Sequence, residues 1–262
     1  MAESTLSISY TDLQAEVGDF LHKGQDPSAW SADETKRIDR IIQAGVRQFY
    51  YPPAMEGVEL GYQWSFMRPT TTLATVDGTR AYDLPDNFSA LVGELHYETD
   101  VFYTAVTHVS QAKMQELIEY SDDEDKPRHY TTRYKTSTGA TGQRHEIVFW
   151  PTPDAAYTLT YRYEAYAGKI DAQTYPYPLG GMKYGECIIE SCLSIAERRG
   201  NDEAGIHEQQ FQRLLMAAVQ LDRRNSASRY GMMGGQEDHT QNRYRFGDHQ
   251  TTYPISYNGS TW

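Results

Sequence analysis

Eight histidines and two cysteines are the side chains in this 262-residue chain best suited to metal binding or nucleophilic chemistry. Their spacing decides whether they can act together. His22 falls at the end of a helical stripe, His96 and His108 lie within strand-like runs, and His129 and His145 stand at strand starts. His207 sits on a helix, while His239 and His249 fall in the tail. No two stand three or four apart on a helix, the spacing that turns two imidazoles onto one metal ion, and no His-Glu-x-x-His occurs. No Gly-x-Ser-x-Gly is present, so a hydrolytic serine lacks the sharp strand-to-helix turn that exposes it. His145-Glu146 begins a strand, where a cross-strand or solvent role is expected. The 36 acidic residues could supply many carboxylate pairs for glycoside cleavage, but nothing in the sequence singles one out. Cys187 and Cys192, five apart on one predicted helix, fit neither Cys-x-x-Cys nor a disulfide. They read as two small buried residues in a reducing compartment.

Two loops invite a ligand and decline it. "SDDEDKP" is acidic, but it lacks the Asp-x-Asp-x-Asp-Gly spacing and distal Glu of a calcium loop, so a solvated loop is expected. "STGATGQR" reads as a hairpin tip, since no Gly-Lys-Ser/Thr follows to cradle phosphate. The reading is therefore non-enzymatic, with no cofactor and no metal.

Charge narrows the partners. The formal net charge of −12 disfavours binding to nucleic acid, where affinity comes from Lys and Arg releasing counterions. The start "MAESTLSISY" lacks the basic and apolar regions of a signal peptide, and no apolar run approaches the roughly 20 residues that span a bilayer. A soluble protein made in the cytoplasm, without membrane partners, is expected. The 21 tyrosines combine an apolar body with a polar tip, which suits surfaces wet in one state and buried in another.

Three blocks and a tail organise the chain. Residues 1–60 are helical: Thr11 with Gln14 reads as a capping box ahead of Leu13, Val17, Phe20 and Leu21, with Gly24 as the stop. Ser31 with Glu34 repeats the device before Ile38, Ile41, Ile42, Val46, Phe49 and Tyr50, and Pro52-Pro53 terminates the run. Residues 61–169 change to strand character in "GELHYETD", "VFYTAVTHV", "PRHYTTRYKT", "RHEIVFWP" and "YTLTYRYEAY". Ser110 caps one short helix there, with Met114, Leu117 and Ile118 as its apolar face. Residues 170–225 return to helix, first from Met182 to Arg199 with Gly200 as the stop, then from Asp202 onward. Neither helical pair alone buries enough surface to stand. The predicted class is thus α+β: a helical bundle from both chain ends, an inserted antiparallel β-domain, and an extended C-terminal arm over 226–262. Trp64 and Phe66 fall where the helical lobe hands over to the β-lobe; they either wedge the lobes together or form a core aromatic pair.

The arm has no helical or strand period, yet it spaces Tyr230, Met232, Met233, Tyr244, Phe246, Tyr253, Ile255, Tyr257 and Trp262 along its length, with Arg243 and Arg245 among them. Large apolar anchors without a local core point to a partner that buries them, by pockets or by an added edge strand.

"WSADETKRIDRIIQAGVRQFYYPP", "YQWSFMRPTTTL", "YDLPDNF" and "IVFWPTPDAAYTLTYRY", in this order, resemble phage head-to-tail adaptor (connector) proteins, whose relatives include tail tubular protein A of short-tailed phages. The resemblance implies a structural virion protein at the neck. It implies a homo-oligomeric ring of twelve copies that docks on the portal protein, joins it to tail or neck proteins, and lets DNA pass without specific binding. It assigns the arm to the portal. The alternative from another class is a receptor- or glycan-binding tail module with a Tyr-rich β-domain; a peptidoglycan-cleaving tail enzyme is disfavoured by the missing motifs.

Overall fold

The computed structural model describes residues 4–54, 61–98, 105–135, 142–201, 205–226, 256–257 and 260–261. Helix α1 (Tyr10–Phe20) starts two residues earlier than Thr11 would place it. Ser9 is the cap: its hydroxyl accepts from the Asp12 amide, and the Asp12 carboxylate accepts from the Ser9 amide. The earlier start follows from Tyr10, which is buried and donates to Asp39 from inside the first turn. The helix also stops before Gly24, because His22 itself takes the left-handed conformation (φ 57°). Helix α2 (Ala32–Tyr50) carries the expected Ser31–Glu34 capping box, and its Ile38, Ile41, Ile42, Val46, Phe49 and Tyr50 are all buried.

Helices α4 (Gly185–Asn201) and α5 (Ile206–Ser226) close the bundle. Met182–Tyr184 is a separate 3-10 turn rather than the first turn of α4, and α4 runs past Gly200 to Asn201. Gly45 explains how α2 and α4 approach: a Cβ there would lie 2.5 Å from the Cys192 Cα. At this crossing Ser191 donates to the Gly45 carbonyl at 2.8 Å, so the tight spot is also hydrogen-bonded. Both cysteines are buried and free, and burial pushes each thiol up to about 12. One apolar cluster unites α1, α2, α4 and α5 with Trp64, Met67 and Ile170, so both chain ends build a single core.

The strands build a second core. Strands β1 (Thr70–Ala74), β7 (Thr158–Ala165) and β3 (Phe88–Tyr97) form an antiparallel sheet in the order β1-β7-β3. Along β7, Leu159, Tyr161, Tyr163 and Ala165 are buried at every second position, as a pleated strand with one face on a core demands. The other sheet has the order β2-β6-β5-β4, with β2 (Ala81–Asp83), β6 (Arg144–Trp150), β5 (His129–Lys135) and β4 (Thr107–His108). One pair departs from the otherwise antiparallel pattern: β4 pairs with β5 in parallel. The chain between them is the short helix α3 (Gln111–Tyr120), capped by Ser110, and a crossover of that kind is what a parallel pair requires. Of the α3 face only Met114 is fully buried; Leu117 and Ile118 are half-buried. Leu95, Ile147, Phe149, Leu159 and Tyr161 centre this second cluster. The molecule is thus α+β, with a β-lobe inserted into a bundle made from both ends. Residues from Ser226 onward form a separate unit, within which β8 (Ser256–Tyr257) pairs antiparallel with β9 (Ser260–Thr261).

Candidate functional site

Trp64 and Phe66 lie in the helical core. The Trp64 indole donates to the Phe49 carbonyl at 3.1 Å, and its ring sits 4.7 Å from Phe49, 5.1 Å from Tyr62 and 5.4 Å from both Phe66 and Tyr184. Phe66 is half-buried and closes on Gly180, where a Cβ would lie 2.8 Å from the Tyr184 ring and 3.2 Å from the Phe66 ring.

Beneath these rings lies a residue that the sequence reading passed over. Asp222, near the end of α5, is only 2% exposed. Its carboxylate accepts from the Ser65 amide at 3.0 Å, the Ser65 hydroxyl at 2.5 Å and the Tyr62 hydroxyl at 2.8 Å, and from Tyr184 as well. A buried carboxylate is tolerated when such donors replace water. The phenols respond in turn: burial raises the Tyr62 and Tyr184 pKa values, and the bond to Asp222 raises both further. The last turns of α5 are therefore fastened to the segment that leads into the β-lobe. The signal was present in the sequence, since Leu215, Ala218, Val219 and position 222 share one helical stripe, and an aspartate on an apolar stripe needs partners.

Large apolar side chains collect at the surface on the return from the β-lobe to the bundle. Tyr166, Tyr175, Tyr177, Leu179 and Met182 are all exposed, and Tyr51, at the end of α2, joins them. The Tyr51 ring lies 6.4 Å from Tyr166, and its hydroxyl accepts from the Ala167 amide.

The β-lobe carries an open cleft of ≈ 460 Å³ between β3 and β5, lined by residues that include Phe88, Leu91, His108, Arg133, Tyr134 and His145. His145 packs at 4.6 Å on Tyr134 and 5.2 Å from Phe88, and burial lowers its pKa. The ring is thus packed against two aromatic neighbours. In the "SDDEDKP" loop, Asp122 pairs with Arg80 and Asp125 with Arg128. Among the described residues, no group of three or more His, Cys, Asp and Glu is placed to hold a metal ion, and no helix is long and apolar enough to cross a membrane.

Of the arm residues, Tyr257 lies in strand β8. Tyr230, Met232, Met233, Arg243, Tyr244, Arg245, Phe246, Tyr253, Ile255 and Trp262 lie outside the described residues. The chain was compared with known proteins. A family model described as SU10 adaptor protein matches residues 8–233, which covers both lobes and only the first residues of the tail. No curated protein matches.

Proposed function

The chain belongs to the SU10 adaptor protein family, and from that premise, which makes it a phage structural adaptor and a virion component, we propose that it works as a head-to-tail adaptor. Copies assemble as a ring, twelve in number, dock onto the portal protein, and join it to the tail or neck while forming part of the DNA channel. The protein performs no catalysis in this role. Residues 1–60 and 170–225 act as one helical lobe, 61–169 as the inserted β-lobe, and 226–262 as the arm that reaches the portal.

The observation that supports this reading best is the fastening of α5 by Asp222. A load-transmitting adaptor needs a firm root for its docking segment. Here the last described turns of α5, which feed the arm, are tied through buried hydrogen bonds to the segment that leads into the β-lobe. The arm then supplies Tyr, Trp, Met and Arg, the side chains on which protein contacts most depend. The net charge of −12 fits a passage that repels DNA phosphates instead of gripping them.

The test is electron microscopy and co-sedimentation with a cognate portal, using the full-length chain and a chain ended after Ser228. The full-length protein is expected to decorate the portal as a ring, and the shortened one to stay folded but fail to attach. Full-length affinity in the shortened chain would overturn the arm's role.

A further inference from the structure

The outer face of α2 is basic in a chain that is otherwise acidic. Arg37, Arg40, Ala44 and Arg47 follow one another at steps of three, four and three residues, so they share one side of the helix. All three arginines are exposed, and none has a carboxylate within ion-pair distance among the described residues. Asp33 opens the same face, but it already pairs with Lys36 at 3.8 Å.

The outer face of α1 is the opposite. Asp12, Glu16 and Asp19 follow at steps of four and three, all exposed, and none has a cation within ion-pair distance among the described residues, although Asp12 also accepts from the Ser9 amide at the cap. Arg40 to Arg47 and Asp12 to Asp19 each span seven residues, about 10 Å of helix at ~1.5 Å per residue. The two faces therefore present opposite charges at matching spacing. The half-buried Ala44 between Arg40 and Arg47 leaves room for a facing helix. Each face lies on its own helix; inside one chain Tyr10 of α1 bonds Asp39 of α2, and Lys23, just beyond α1, pairs with Glu34 of α2.

We propose that the α2 face of one copy docks the α1 face of the next copy, an inference that rests on the adaptor reading and names the surface by which the ring forms. The arginine face cannot pair with itself, so a symmetric two-copy contact is disfavoured. A contact between two different faces repeats head to tail and closes into a ring when the rotation permits. Charge complementarity sets partner and register more than raw affinity, which suits a ring assembled from identical subunits. Duplex DNA is the other polyanion that a basic face could meet, but the whole-chain charge of −12 opposes its approach.

The test is sedimentation velocity of the full-length chain at about 0.02 M and about 0.5 M salt, concentrations that bracket weak and strong screening. Wild type is expected to associate at low salt and to dissociate at high salt. Reversing the basic face (Arg37→Glu, Arg40→Glu, Arg47→Glu) or the acidic face (Glu16→Arg, Asp19→Arg) is expected to weaken self-association by about tenfold or more. An equimolar mixture of the two reversed proteins sets a basic α1 face, Asp12 apart, against an acidic α2 face, and is expected to regain association. That recovery also shows that both variants are folded. A wild type that stays monomeric at both salts, a reversed variant that associates like wild type, or a mixture that does not recover would each overturn the proposal. So would tight duplex-DNA binding that the α2 reversal abolishes. Portal co-sedimentation measured in parallel separates the readings: its loss in wild type counts against the adaptor role, whereas unaltered self-association of the variants counts against this surface alone.

Discussion

The two lobes solve the problem of a small core in different ways. The helical lobe draws α1 and α2 from one end of the chain and α4 and α5 from the other. It packs them at a glycine contact, Gly45 on Cys192, and buries a carboxylate under a ring cluster. The β-lobe is one continuous stretch whose core leans on tyrosines, among them Tyr130, Tyr161 and Tyr163, with hydroxyls that reach polar partners such as the Gly93 carbonyl and Asn87. The helical core therefore depends on segments that lie far apart in the chain. The β-lobe core instead pairs the polar tips of its tyrosines with nearby acceptors. The helical lobe is also the one whose last helix, α5, is fastened through Asp222.

The strongest way to break this comparison is Trp64→Ala. Removing a fully buried indole with its hydrogen bond should cost about 4 kcal/mol, and the loss should fall on the helical lobe. Urea unfolding followed by helical circular dichroism should show a lowered midpoint, while amide hydrogen exchange of strands β5 to β7 holds. Equal shifts of both signals would show that the lobes share one cooperative core. Asp222→Ala comes next, at about 2 kcal/mol, because it strips the acceptor from buried hydroxyl and amide donors. Asp222→Asn keeps one carbonyl acceptor and should cost less. A variant series in which alanine is neutral would remove the fastening argument.

The smallest effect is pH dependence, and it sharpens the contrast. Burial lowers the pKa of His145, and burial together with Arg128 and Lys113 lowers that of His129, so both β-lobe rings favour the neutral form when folded. As pH falls below the ordinary histidine value near 6.5, the unfolded chain takes up protons first, so stability is lost through that window and down to the folded values. In the helical lobe, the Lys23 bond and the Ser31 backbone bond hold Glu34 down to about 2. Stability from that group is present above the ordinary carboxylate range and is lost only as pH falls toward 2. Thermal melts from pH 7 to pH 5 should therefore weaken the β-lobe first, and His145→Gln with His129→Gln should flatten that trend. A helical lobe that weakens first over the same range would contradict the assignment.

What could be read without coordinates was periodic and local. The α2 stripe, the Ser31–Glu34 box, the Ser110 cap and the strand runs all rest on spacing and on side chains within a few residues, where physical chemistry acts along the chain itself. The α+β class and the bundle built from both ends followed from the order of those stripes, because a lone helical pair cannot bury its apolar face. Other features were decided only in three dimensions. The true α1 cap at Ser9 depends on burial of Tyr10 against Asp39, a residue on another helix. The parallel β4–β5 pair depends on where α3 crosses, and strand order is never a property of one segment. Asp222 looked like part of a fading polar helix end, although its place on the stripe of Leu215, Ala218 and Val219 was visible. Its partners, Tyr62, Ser65 and Tyr184, lie far away in the sequence, and a buried charge is stable only where folding delivers its donors. Sequence thus determined the elements and the chemistry each could carry, while the tertiary structure decided which of those groups would meet.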